Sequence, residues 1–373
     1  VSSPAEYLRE LVAISSMSSE SNRPVIEKLR KFFAALGWSE RVLSYRDDQG
    51  VEKLNLIVSP MELHPGTIEA ELAIVCHTDT VPHSWPEATE LQERDGMLHG
   101  CGACDVKGFL ACMMAAAADL DARALQHRLC MVFTSDEEIG CRGARFLVKE
   151  NALRAKYAIV GEPTSLVPAR AGKGYGLAEI LVTGQSAHSA YPEKGRSAIL
   201  VAGRLLGEIE AIAESLQSDR NEAFSPAWTT VNVGEIRGGT AKNVVPAECR
   251  FLVEWRPVAA QDPELVVRHL RALAEKYSVD GVTVDVLVTR MDGGFETPLE
   301  SAVIDAVRRG REVAVTSVAF GTEAPWLARM GAEAVVLGPG SMLTAHSPRE
   351  CVPREELDGC VRILRTSIEL LCS

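Results

Sequence analysis

No apolar run in this 373-residue chain approaches the roughly 20 residues that a helix needs to cross a bilayer, so no membrane partner is expected. Positive charge is in deficit: 39 lysines and arginines stand against 51 acids, a formal net charge of −12. That balance disfavours nucleic acid or an anionic membrane surface as a partner. The first residues lack the basic, apolar, small-residue succession of a secretory signal, and a cytoplasmic protein is expected. Internal repeats and low-complexity segments are absent, so a repeat array is not expected.

A second Cys-x-x-Cys is missing as well. The ten cysteines are scattered, several of them in apolar segments (Cys76, Cys112, Cys130, Cys249), and they read as small, reduced core residues. Cys101 and Cys104 could form a redox pair, but they lead into Asp105-Val106-Lys107-Gly108 and an Ala-rich helix. A thioredoxin-like site would need a different βαβ context, so loop packing is the expected role. A zinc knuckle is weaker still.

What is present suits a soluble enzyme. The composition is 46% hydrophobic and 24% charged, ordinary for a globular protein. The length exceeds the size at which one hydrophobic core stops growing, so two domains are expected. Amphipathic helices are predicted over residues 4–14 and 23–36, the second closing at Gly37. Strands over 54–58, up to 77, over 128–133 and over 157–160 alternate with helices over 111–120 and ending near 151. Such alternation indicates a mostly parallel sheet flanked by helices, with ligands gathering beyond the carboxyl ends of its strands.

From about residue 173 the texture changes. Strands over 176–182, 229–236 and 250–255, with helices over 197–216 and 268–277, suggest a smaller α+β domain. After a strand over 284–288 the βα rhythm resumes and closes with a helix over 355–371. The expected organisation is therefore a first catalytic part at 1–172, an inserted domain at 173–284 and a second catalytic part at 285–373.

Five residues of metal-ligand type, His77, Asp105, Glu138, Glu162 and His346, sit just past apolar runs or in Gly-rich turns. Two imidazoles and three carboxylates can hold a pair of divalent metals that share one carboxylate. Mixed nitrogen and oxygen donors favour zinc, cobalt or manganese over magnesium or calcium. Asp79 lies two residues beyond His77, on the same side of an extended chain, where it could orient the imidazole. Taken singly, each residue has a plainer explanation. His77 could be a structural hydrogen-bonder, Asp105 a helix N-cap, Glu137 and Glu138 a solvated turn, and His346 an ordinary loop residue. Joint occurrence at strand ends is what points to a metal site.

These segments resemble the dinuclear zinc amidohydrolases of the M20 metallopeptidase family. The matching stretches are HTDTVP at 77–82, GCGACDVKG at 100–108, SDEEIGCRGAR at 135–145 and GEPTSLVPARAGKG at 161–174. They continue, in the family's order, with GQSAHSAYPEKGRSAI at 184–199, FGTEAPW at 320–326 and LGPGSMLTAHSPRE at 337–350. The resemblance implies an α/β fold with a mixed, mostly parallel sheet of the zinc-aminopeptidase type. An inserted α+β domain would serve dimerisation or act as a lid, giving a homodimer. It implies two divalent metals, zinc or alternatively cobalt. Asp105 would bridge them, with His77 and Glu162 completing one site and Glu138 and His346 the other. Asp79 would orient His77, and Glu137 would be the general base. His188 would reach into a partner's active site to stabilise the oxyanion, and Asn243 and Arg256 would bind substrate.

Within the family, GEPTS and TEAP followed by GPGS resemble the branch acting on N2-acetyl-ornithine. The implied reaction releases acetate and ornithine for arginine synthesis. N-acetylcitrulline, succinyl-diaminopimelate, another acyl-amino acid or a dipeptide are the alternative substrates, and a non-catalytic binding protein is a further alternative. Two departures stand out: Cys101 occupies a position where family members often carry Arg, and Glu254-Trp255-Arg256-Pro257 replaces Asp-x-Arg-Pro.

Overall fold

The computed structural model describes residues 2–85 and 88–373. In chain order its main strands are β1 (Ser39–Arg46), β2 (Glu52–Ser59), β3 (Ile68–His77), β4 (Leu129–Thr134) and β5 (Leu153–Val160). They continue with β6 (Tyr175–Thr183), β7 (Thr230–Gly238), β8 (Glu248–Arg256), β9 (Thr283–Asp292) and β10 (Glu333–Val336). The helices are α1 (Pro4–Val12), α2 (Arg23–Ala35), α3 (Lys107–Ala118), α4 (Arg142–Lys149) and α5 (Ala198–Ser215). The remainder are α6 (Leu265–Tyr277), α7 (Ala302–Arg308), α8 (Ala324–Arg329) and α9 (Arg354–Cys372).

Two compact units result. One comprises Val1–Arg170, Glu296–Thr316 and Thr322–Ser373; the other comprises Ala171–Phe295 and Ser317–Gly321. The larger unit is built on a sheet in the order β1–β2–β4–β3–β5–β10, with the short strand Ala169–Gly172 beyond β10. Its centre is parallel (β4–β3–β5–β10), while β1, β2 and the Ala169–Gly172 strand pair antiparallel. The sequence explains the central placement. Leu72–His77 in β3 and the whole of β4 are buried, as strands covered on both faces must be, and both are continuous apolar runs. β1 (SERVLSYR) alternates half-buried and exposed residues, the pattern of an edge strand, and its lack of an apolar run hid it from the sequence reading.

One apolar cluster joins α1, α2, α3, α7 and α9 to this sheet. α3 is buried from Lys107 to Ala117, and its alanines allow the close approach that such a helix needs. α2 stops where expected, with Gly37 at φ +74, a left-handed conformation favouring glycine. A small antiparallel sheet of Gln92–Arg94, Met97–His99 and Cys351–Pro353 lies in the same unit. Its three-residue strands are too short to announce themselves by alternation.

The smaller unit is a four-stranded antiparallel sheet, β7–β8–β6–β9, with α5 and α6 packed through a common apolar core. Gly176 is required there: a Cβ at this position would lie 1.9 Å from Trp255 Cε2. The expected domain limit at 284 falls inside β9, which pairs with β6 from Thr283 to Asp292, so this unit continues to Phe295. Among the described residues, no helix is long and apolar enough to cross a membrane.

Candidate metal centre

Parallel register brings the candidate ligands to one level. Cys76 pairs with Phe133 and His77 with Thr134, while Val75 pairs with Val160, so three adjacent strands end together. Past those ends lie His77 itself, the turn carrying Glu137 and Glu138, and Glu162. Gly161, just before Glu162, must be glycine, because a Cβ there would fall 2.1 Å from Cδ1 of Phe109 in α3. Asp105 comes from the loop before α3. Val106, not Asp105, occupies the N-cap position, and no side chain caps the helix, so the capping alternative for Asp105 is overturned.

Two donor groups form around Asp105. His77, Asp105 and Glu162 offer ligand atoms within 4.8 Å of one another, and so do Asp105, Glu138 and His346. Each Asp105 oxygen faces a different imidazole: Oδ1 is 3.2 Å from His77 Nε2, and Oδ2 is 3.0 Å from His346 Nε2. His346 Nε2 also lies 3.2 Å from the Glu138 carboxylate. His346 has φ +57, a left-handed conformation, and Gly338 approaches the Glu162 carbonyl, and Gly340 the Cβ of Cys104, too closely for any Cβ. Glu162 Oε1 is buried without a hydrogen-bond partner. An orphaned carboxylate oxygen beside mixed imidazole and carboxylate donors is what a divalent cation would satisfy, so the residues fit a metal pair.

The ligand loops are held by buried carboxylates that accept backbone N–H groups. Asp79 accepts from the amides of Glu137 (3.1 Å) and Glu138 (3.3 Å) and from the Ser18 hydroxyl (2.8 Å). His77 Nδ1 sits 3.0 Å from the Asp79 carbonyl oxygen and 3.5 Å from its carboxylate. Asp79 thus touches His77 mainly through its main chain, while its side chain secures the Glu137–Glu138 turn. Behind that turn, the buried Lys53 ammonium donates to Asp136 (2.8 Å) and to the carbonyls of Ser18 and Glu20, and Tyr45 also donates to Asp136. Glu350 accepts amide N–H groups from Gly102, Cys104 and Asp105.

Electrostatics follow from this crowding. Burial, reinforced by Glu138 and Glu323 and opposed by His77, pushes the Glu137 carboxyl up to about 8. A free carboxyl poised near neutrality is suited to moving protons. Burial and the neighbouring Glu137 and Asp105 raise Glu162 well above the ordinary range. Asp105 goes the other way: burial opposes its ionisation, but hydrogen bonds from His346 and His77 hold it low. His346, hydrogen-bonded to Asp105 and Glu138, is raised to about 10.

Glu323, in the TEAP segment, was not singled out by the sequence reading. It is 1% exposed, and burial, opposed by Thr134 and His77, pushes its carboxyl up to about 7. Glu350 was missed in the same way. Neither stands at a recognisable ligand spacing. Cys101 and Cys104 are free and buried, and burial raises both thiols, Cys101 to about 11. A reactive pair needs lowered thiols, so the raised, buried thiols favour loop packing over redox chemistry.

The remaining candidates lie in the smaller unit. His188 is exposed on a two-residue strand paired with Val244–Val245, and its Nδ1 accepts from the Ala190 amide at 3.1 Å. Asn243 is exposed, its carbonyl accepting from Ser189 N. Arg256 is half-buried, donates to Glu254 at 2.7 Å and stacks over Tyr175 at 4.1 Å.

Comparisons with known proteins agree with this architecture. The chain is 44% identical to an acetylornithine deacetylase from Myxococcus xanthus over 98% of its own length and 96% of that protein's. A tripeptidase from Staphylococcus aureus superposes with a TM-score of 0.77 at 23% identity, covering 99% and 97% of the two chains. A dinuclear metal-binding M20 peptidase from Bacillus subtilis gives 0.69 at 16% identity over 99% and 97%. Residues 73–370 match the model for peptidase family M20/M25/M40, and with the curated relative this places the chain in that family.

Proposed function

We propose that this chain removes the acetyl group from N2-acetyl-L-ornithine, yielding L-ornithine and acetate for arginine biosynthesis in the cytoplasm. One observation carries the metal-dependent chemistry: Asp105 presents Oδ1 to one donor group and Oδ2 to another. His77 and Glu162 complete one group, Glu138 and His346 the other. Two divalent ions, zinc or cobalt, would supply Lewis acidity and lower the pKa of water toward about 7. Glu137 takes the proton from the attacking water and later delivers it to the leaving amine. Because Asp79 pins both the Glu137 and Glu138 amides, base and ligand keep fixed places relative to each other.

The amide oxygen gains negative charge as water adds, and a donor aimed at it lowers the barrier by roughly 3 kcal/mol. His188 supplies that donor from a second copy of the chain, in a homodimer formed through the smaller unit. The exposed β7 edge strand and the exposed apolar side chains Leu200 and Ile236 support that mode of assembly. Arg256 holds the substrate carboxylate and Asn243 a neighbouring polar group. Arg256 is already steadied by Glu254 and Tyr175, which lowers the entropy lost on clamping an anion.

The substrate specificity rests on the curated relative and on the TEAP and GPGS segments. Metal-free protein reloaded with zinc or cobalt should be assayed on N2-acetyl-ornithine, N-acetylcitrulline and succinyl-diaminopimelate. A clear preference in kcat/KM for acetylornithine is expected. A tenfold preference for another acyl-amino acid would keep the chemistry and replace the substrate. No turnover with metal bound would leave a binding protein.

A further inference from the structure

We propose that Glu350 is a positioning residue for the shared carboxylate of Asp105, acting through the backbone of the loop that carries it. Glu350 lies four residues beyond His346, and its main chain is fixed before its side chain comes into play. The Glu350 amide donates to Ser347 O at 3.0 Å, Gly100 N donates to the Glu350 carbonyl at 3.3 Å, and the next residue, Cys351, pairs with His99. The small antiparallel sheet thus delivers the Glu350 carboxylate beneath residues 102–105.

There the carboxylate, in a residue 3% exposed, accepts three backbone N–H groups. Gly102 N reaches Oε2 at 3.0 Å, while Cys104 N and Asp105 N reach Oε1 at 3.1 Å and 3.0 Å. Gly102 has φ +75, and this left-handed residue lets the loop curl its amides inward around an anion. The Cys104 thiol is 3.6 Å from the same oxygen. Three converging amides fix the loop's course and, through it, the Cα of Asp105.

The consequence is a mechanical link. One segment carries His346, which faces Asp105 Oδ2, and, at its other end, the anchor that sets the main chain of Asp105. A metal bound between Asp105, Glu138 and His346 therefore depends on a distance that residues 346–350 set from both sides. A glutamine at 350 offers one acceptor oxygen and turns an NH2 group toward backbone donors, so three amides could not be satisfied. Glu350 itself touches neither metal nor substrate in this proposal, which rests on the dinuclear reading above.

The test is a cobalt(II) titration of the metal-free full-length protein, followed by visible absorption, alongside thermal unfolding. For Glu350→Gln the expectation is a cobalt affinity at least tenfold weaker, with an altered absorption band, in a protein whose metal-free Tm falls by only a few degrees. Wild-type affinity and spectrum in this variant would overturn the proposal. If Glu350→Gln does not fold, Glu350→Asp decides, since it keeps the charge but withdraws it by one methylene. Weakened cobalt binding in folded Glu350→Asp supports the role, and unchanged binding refutes it. Wild-type protein binding fewer than two cobalt ions would instead sink the dinuclear reading, an outcome read without any variant.

Discussion

Glu137 and Glu138 are chemically identical neighbours, yet their surroundings divide them. Glu138 lies against His346 within a donor group, while Glu137 belongs to neither donor group, which leaves its carboxyl to move protons. Glu137→Gln should therefore cut kcat by about 10²–10⁴-fold while metal content, measured by emission spectroscopy, stays at the wild-type level. Asp105→Ala should lose both metals, since one residue serves both donor groups; two bound ions in that variant would contradict the bridging role.

Glu323 makes a different prediction, about stability. Its folded carboxyl titrates at about 7 rather than 4.5. The unfolded chain therefore releases this proton first as pH rises, and the folded state loses stability between those values. The loss is about 3 kcal/mol once pH exceeds 7, and nothing below 4.5. Glu323→Gln has no proton to lose, so its metal-free Tm should exceed the wild-type value at pH 8 and converge with it at pH 4. An equal gap at both pH values would show that packing, not titration, is responsible.

At the scale of elements, the site depends on strands ending level and on the close contact between β5 and α3. Gly161 is where that contact is tightest. Gly161→Ala would force its Cβ into the Phe109 ring or displace the strand end that carries Glu162. An overpacking cost of about 1–3 kcal/mol is expected, with a lower Tm and weaker metal binding together. A normal Tm with normal metal affinity would mean that α3 can move aside without cost. The core strands and long helices were legible in the sequence because burial on both faces demands continuous apolar runs, as in β3 and β4. β1 was not legible, since an edge strand needs only one half-covered face. The strands Gln92–Arg94, Met97–His99 and Cys351–Pro353 were hidden by their length.

At the scale of the whole molecule, His188 in the smaller unit and Glu137 in the larger one test how the site is assembled. If His188 serves a second copy, mixing Glu137→Gln with His188→Ala protein creates a hybrid dimer with one site intact. Equal mixing with free subunit exchange should recover about a quarter of wild-type activity from two nearly inactive parents. No recovery, with exchange confirmed, would mean that His188 acts within its own chain or elsewhere. If His188 meets charge that develops only in the transition state, His188→Ala alone should lower kcat more than it raises KM.

The sequence by itself determined which residues could be ligands and roughly where the large sheet would place them. His77, Glu138 and Glu162 follow apolar strands, and a parallel sheet aligns strand ends whatever the details of its loops. Only the tertiary structure decided what holds those candidate ligands still. Asp79 gripping the Glu137–Glu138 turn, Glu350 gripping the Asp105 loop and Lys53 buried against Asp136 are side chains acting on residues far away in the chain. Such contacts have no period and no fixed spacing. They exist because a buried carboxylate or ammonium must find partners in three dimensions, and the partners here are backbone amides and carbonyls that every residue carries.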